Sequence, residues 1–157
     1  MIEDLPNKNN FYEIQQFREV WVWAIIFIVL YALILPVLIG IVSILPSIIL
    51  VSIGFGFFWL FYRMYLLIVI KEDGIQIKFF PFTDFIILFN KIKNYKIKKY
   101  RPITEYGGWG IRFNKSGKAY TVSGKIGLQI ELSNGKSILI GTQKSDALLQ
   151  SVNKNFK

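Results

Sequence analysis

Residues 20–62 read VWVWAIIFIVLYALILPVLIGIVSILPSIILVSIGFGFFWLFY, without a single Asp, Glu, Lys or Arg. A helix crossing a hydrocarbon core of roughly 30 Å needs about 20 apolar residues. As one helix, at 1.5 Å per residue, this stretch would extend about 60 Å, twice that thickness. Two helices with a tight return are therefore predicted. Leu45-Pro46 lies nearest the midpoint, and the residue before a proline is pushed out of the α region, so the return is expected at Ser43–Ser47. The first helix is read as Glu19–Ser43, kinked at Pro36, and the second as Ser47–Leu66.

The flanks carry the charge. Residues 1–19 hold Glu3, Asp4, Glu13 and Glu19 against Lys8 and Arg18, whereas residues 71–157 hold 16 Lys and Arg against six Asp and Glu. The chain as a whole has 53% hydrophobic and only 18% charged residues, against about 25% charged in an average globular chain. That balance argues against a plain soluble domain and excludes a disordered one. A signal peptide is rejected, because the leader is acidic and the apolar run is too long. The return holds no Lys or Arg, while Arg18, Arg63, Lys71 and Lys78 flank the pair of helices. By the positive-inside rule the protein is expected in the cell membrane as a multi-pass chain with both termini cytoplasmic. Trp21, Trp23, Trp59, Tyr62 and Tyr65 suit an aromatic belt at that interface. The domains are read as an N-terminal cytoplasmic segment 1–18, a transmembrane hairpin 19–66 and a cytoplasmic domain 67–157.

Beyond the apolar run the period changes from helical to alternating. Leu66–Lys71 and Ile75–Phe80 flank Glu72-Asp73-Gly74, a hairpin signal, and Phe85–Phe89 is a third apolar run. Tyr95–Tyr100 alternates in two registers, one of which places Tyr95 and Ile97 inside with Lys96 and Lys98 outside. Further strands are predicted at Gly110–Asn114, Ala119–Ser123, Gly127–Leu132 and Ser137–Gly141. The last two are joined through Asn134-Gly135, which favours a type I′ turn. Leu148, Leu149, Val152 and Phe156 make the apolar stripe of a closing helix, with Thr142 a candidate cap and Asp146 in the first turns. The fold class is thus α+β: a transmembrane hairpin, then an antiparallel barrel or pair of sheets of seven or eight strands, then a C-terminal helix.

Several blocks carry a resemblance. They are Glu13-Ile14-Gln15-Gln16-Phe17-Arg18 before the tryptophans, Phe79-Phe80-Pro81-Phe82, Lys99–Arg112 with its Tyr106-Gly107-Gly108-Trp109-Gly110-Ile111-Arg112 core, Lys118–Gly124 and Leu139–Gln143. Together they resemble a bacterial family with two N-terminal membrane helices and a pleckstrin-homology-like (PH-like) C-terminal domain. The resemblance implies a PH-like barrel with a C-terminal capping helix. It implies no activity, since PH-like folds bind lipids, peptides and proteins alike.

Chemistry is scarce. The chain has no Cys and no His, which removes thiolate nucleophiles and the commonest acid–base group and metal ligand. Val122–Gly127 echoes a phosphate loop, yet Ala119 stands where its first Gly belongs and Ile126 where Ser or Thr must follow Lys125. The carboxylates form no acid–base pattern, so no enzyme, cofactor or metal site is expected. The strong feature is Lys91–Arg101, basic at Lys91, Lys93, Lys96, Lys98, Lys99 and Arg101. Its expected partner is an anionic lipid surface, with Lys93, Lys96, Lys98, Arg101 and Arg112 as the lipid-binding residues and Arg101 with Arg112 as the pair suited to a phosphate or carboxylate. Nucleic acid is not expected for a tethered domain. Two functions follow: a membrane-anchored binding module for lipid headgroups, a peptide or a protein, or a structural subunit whose hairpin packs on the helices of a membrane-protein partner.

Overall fold

The computed structural model describes residues 11–18, 20–41, 43–114 and 117–156. Among these, Phe17–Met64 form one compact unit, and the preceding strand with Tyr65 onward forms a second.

The first unit is a helical hairpin, α1 (Val20–Leu38) and α2 (Ile44–Arg63). Its return comes earlier than the prolines suggest. Pro36 is accommodated inside α1, and Pro46 sits in the first turn of α2, where its missing N–H would have had no helical acceptor. The stop is Gly40, whose φ of 74° is the left-handed conformation that ends helices. The Ile39, Gly40 and Ile41 N–H groups close the last turn on Leu35, Val37 and Pro36 carbonyls. The expected start at Glu19 lies outside the described residues. The helices run antiparallel: Trp23 packs edge-on to Phe58, and Gly54 faces Leu30 and Leu33. Leu45–Arg63 is a helix long and apolar enough to cross a membrane, whereas the apolar segment Val22–Leu38 is shorter. α2 also stops sooner than expected, at Arg63, and the chain turns directly into a strand.

The second unit contains nine strands among the described residues, in two sheets. β1 (Tyr12–Gln16), β2 (Tyr65–Ile70), β3 (Gly74–Phe80) and β4 (Thr83–Leu88) form one sheet in that order. β5 (Ile92–Lys99), β6 (Gly110–Asn114), β7 (Gly117–Thr121), β8 (Ile126–Leu132) and β9 (Ser137–Gly141) form the other, in the order β5-β8-β9-β7-β6. The expected closed barrel is not formed. A 3₁₀ turn at Phe89–Lys91 separates β4 from β5, and β1, β4, β5 and β6 are left as sheet edges. All pairings are antiparallel except β7 with β9. Two helices complete the unit, the short α3 (Pro102–Tyr106) and α4 (Ser145–Asn155).

The core follows the period of two. In β3, Ile75, Ile77 and Phe79 are fully buried while Gln76, Lys78 and Phe80 face outward. Leu66, Ile68 and Ile70 of β2 and Leu128, Ile130 and Ile140 of the second sheet are likewise buried, each burial worth about 1.5–3 kcal/mol. Leu148 and Val152 of α4 join them, and Tyr120 brings the two sheets together on Phe85. The β8–β9 connection differs from the expected type I′ turn. Asn134 keeps a negative φ, and the Gly135 N–H bonds the Leu132 carbonyl with Gly135 at φ 79°, a type I turn followed by a left-handed glycine.

β1 falls in the N-terminal segment for which the sequence predicts no strand. Its apolar residues Tyr12 and Ile14 are exposed, and its polar residues Glu13 and Gln15 are buried. The buried pair spans the two sheets. Glu13 Oε2 accepts from the Thr142 hydroxyl at 2.5 Å, and Oε1 from the Gln143 N–H at 2.7 Å. Gln15 Nε2 donates to the Gly141 carbonyl at 2.8 Å. Thr142 therefore serves Glu13 and accepts from the Lys144 N–H, rather than capping α4.

The hairpin contact predicts its own test. A Cβ at Gly54 would meet Leu30 Cδ2 at 2.7 Å, whereas Gly56 has open space. Gly54→Leu should lower the thermal midpoint of the detergent-solubilised protein, and Gly56→Leu should leave it nearly unchanged, as read by helical circular dichroism.

Candidate functional site

The basic stretch becomes an edge strand with two distinct faces. Tyr95 and Ile97 turn toward the core, where the Tyr95 hydroxyl donates to Asn153 Oδ1 of α4 at 2.8 Å and its ring meets Phe156 edge-on. The register aligns Lys96 with Gln129, Leu139, Ala119 and Arg112 in one row across the second sheet. Lys96 and Arg112 therefore share the other face, at opposite edges. A bulge after Ile92 shifts Lys93 out of this alternation.

After β5 the chain folds over that face. Tyr100 is buried against Ala119 and Leu139, with Tyr106 packed edge-on at 5.9 Å. Between them lies α3. Pro102 occupies its first position, where proline's fixed φ suits a helix start. Glu105 reaches back to accept from the Arg101 N–H at 2.8 Å, in the manner of a capping box. Gly107, at φ 70°, ends the helix. Trp109 is then pinned by its indole N–H to the Gly124 carbonyl at 3.1 Å, and Arg112 Nε donates to the Trp109 carbonyl at 3.0 Å. The Tyr106–Gly110 block is thus a braced turn.

A groove of about 620 Å³ opens between α3, Trp109 and the β7–β8 turn. Its charged lining is Lys99, Arg101 and Lys125 against Glu105 alone. Lys98 borders it by donating to Glu105 Oε2 at 2.8 Å. Of the five residues expected to bind lipid, Lys98 and Arg101 meet here. Lys93 pairs with Glu131 at 3.5 Å nearer the other end of β5, and Lys96 lines a separate small depression with Glu131 and Gln129. Arg112 braces the turn and does not line the groove. Lys125 was not among the expected site residues. It sits in the β7–β8 connection, and only the fold of α3 over the sheet brings it beside Lys99 and Arg101. Among the described residues no three acidic side chains converge on a metal-sized site.

The titrating groups follow from this packing. Burial pushes the Tyr100 phenol up to about 12, partly offset by the neighbouring Thr121 hydroxyl. Neither oxygen completes a hydrogen bond of good geometry. Hydrogen bonding to Lys98, then to the Arg101 N–H, holds the Glu105 carboxyl below its ordinary 4.5. The same bond raises Lys98 above its ordinary 10.5.

No protein-family model matches the chain, and no curated protein is similar to it.

The Lys98–Glu105 pair fixes a pH window. Because the Glu105 value is depressed, its contribution is complete above the ordinary carboxylate range and is lost as pH falls through the lowered value. Because the Lys98 value is raised, its contribution is complete below 10.5 and is lost as pH rises through the raised value. Both side chains are about one-third exposed, so the pair contributes under about 1 kcal/mol. Amide exchange of residues 103–106, corrected for intrinsic rates, should stay flat through neutral pH and rise at both limits. Glu105→Gln should abolish the acidic rise.

Proposed function

We propose that the chain is a membrane-anchored, non-catalytic binding module. In this reading residues 20–62 cross the membrane twice, both termini are cytoplasmic, and a PH-like unit of two sheets and a C-terminal helix meets anionic headgroups through the groove beside α3. One observation carries the proposal. Lys98, Lys99, Arg101 and Lys125 gather at the end of the second sheet that Gln15 ties to β1 through Gly141, two residues before the chain enters the helical hairpin. On the return only Met64 separates α2 from β2. A tether this short keeps the cations near the bilayer, where each contributes about 1 kcal/mol on an anionic surface. The interaction extends over a Debye length of about 8 Å at physiological salt.

The alternative, a structural subunit of a membrane-protein complex, draws on Gly56. Its open surroundings leave a small-residue position on α2 for a partner helix. A stoichiometric partner retained from native membranes in mild detergent would favour that reading.

The lipid reading is tested with the full chain in nanodiscs. Amides of residues 99–109 and 124–126 should exchange several-fold more slowly with phosphatidylglycerol present than in pure phosphatidylcholine. The difference should vanish at about 0.5 M salt and in the Lys99→Glu/Lys125→Glu double variant. Equal exchange in the two lipids contradicts the proposal.

A further inference from the structure

We infer that the β3–β4 turn, Phe80-Pro81-Phe82, is a membrane contact of the β unit itself that inserts into the lipid interface; this rests on the reading of residues 20–62 as membrane-spanning. Strand register carries the argument. Gln16 pairs with Tyr65, and Tyr65 with Phe80, so these three residues form the last row of the first sheet. The chain leaves that row at Phe17 for the helices and returns to it from Met64. The β3–β4 turn, closed by the Phe82 N–H on the Phe79 carbonyl at 2.8 Å, is thereby held level with the point where the hairpin departs.

The chemistry of the two sheet ends is opposite. The far end carries the β2–β3 turn, Lys71-Glu72-Asp73, all charged. The near end carries Phe79-Phe80-Pro81-Phe82-Thr83, with no charge at all. Tyr65 and Phe80 stack there at 5.4 Å, Pro81 is exposed, and Phe82 leaves 58% of its surface uncovered. The nearest charges on these strands, Lys78 and Asp84, are cross-strand partners 3.2 Å apart and engage each other. In water an exposed aromatic cluster at a sheet end has no compensation. In a chain with a membrane-spanning segment an apolar phase is within reach, and aromatic side chains concentrate at that boundary. The turn would then attach the β unit to the bilayer in its own right.

The test uses full-length protein in proteoliposomes with p-benzoylphenylalanine replacing one residue at a time, a substitution that keeps an aromatic ring at position 82. Position 57, exposed on α2, reports the span; position 72 reports the far turn. After irradiation, lipid adducts identified by intact mass should form at 57 and 82 in comparable yield, and at 72 far less. Adducts at 57 with none at 82, or an adduct between 82 and protein only, overturn the turn's insertion and leave the span standing. Absence of lipid adducts at 57 overturns the membrane-spanning reading, and the inference with it.

Discussion

A buried carboxylate joins this molecule together. Glu13, only 3% exposed, lies on a five-residue edge strand and meets groups 129 and 130 positions away, the Thr142 hydroxyl and the Gln143 N–H. No cation pairs with it among the described residues. Both oxygens are nevertheless satisfied by donors, which is what makes a buried ionisable group tolerable. Removing it would strand the buried Thr142 hydroxyl, at about 1–3 kcal/mol, and leave the Gln143 N–H without its acceptor. Gln15 adds a third bond, to the carbonyl where β9 ends. Through these contacts the strand that precedes the helices, paired in the first sheet, is bonded by its side chains to the end of β9 and the residues after it.

That bond pattern places both chain ends of the helical hairpin in neighbouring strands. With β1 paired to β2, Gln16 and Tyr65 lie side by side, and residues 17–64 become an insertion in a β-hairpin. The same strand sets the level of the Phe80–Phe82 turn and, through Gly141, of the basic groove. Charge and aromatic surface thus gather around one end of the β unit because one edge strand organises both sheets there.

Much of this was legible in the sequence. The charge-free run from Val20 marks the helices, the alternation in Ile75–Phe80 and Leu128–Ile130 marks the strands, and the split faces of Tyr95–Lys98 appear as read. The failures share a cause: contacts between residues distant in sequence. β1 hides because Tyr12 and Ile14 face outward, inverting the usual pattern, and its polar residues find their partners near the C-terminus. Pro36 and Pro46 are the conspicuous breakers in the sequence, yet Gly40 has the conformational freedom that ends α1. A closed barrel was expected because strand number alone does not specify which edges pair. At the groove, Lys98 and Arg101 were visible as part of a basic run, but Lys125 becomes their neighbour only when α3 folds over the sheet. Arg112 looked available to a ligand, although its Nε is committed to the Trp109 carbonyl.

Glu13 couples β1 to the β9–α4 junction. Native-state amide exchange on the full chain compares Glu13→Ala with the unsubstituted protein most directly. Protection should fall together in residues 12–16 and 141–144, while the centres of β3 and β8 keep theirs, and Glu13→Gln should fall between. Unchanged protection at 141–144 in Glu13→Ala, or a loss confined to residues 12–16, would contradict the account.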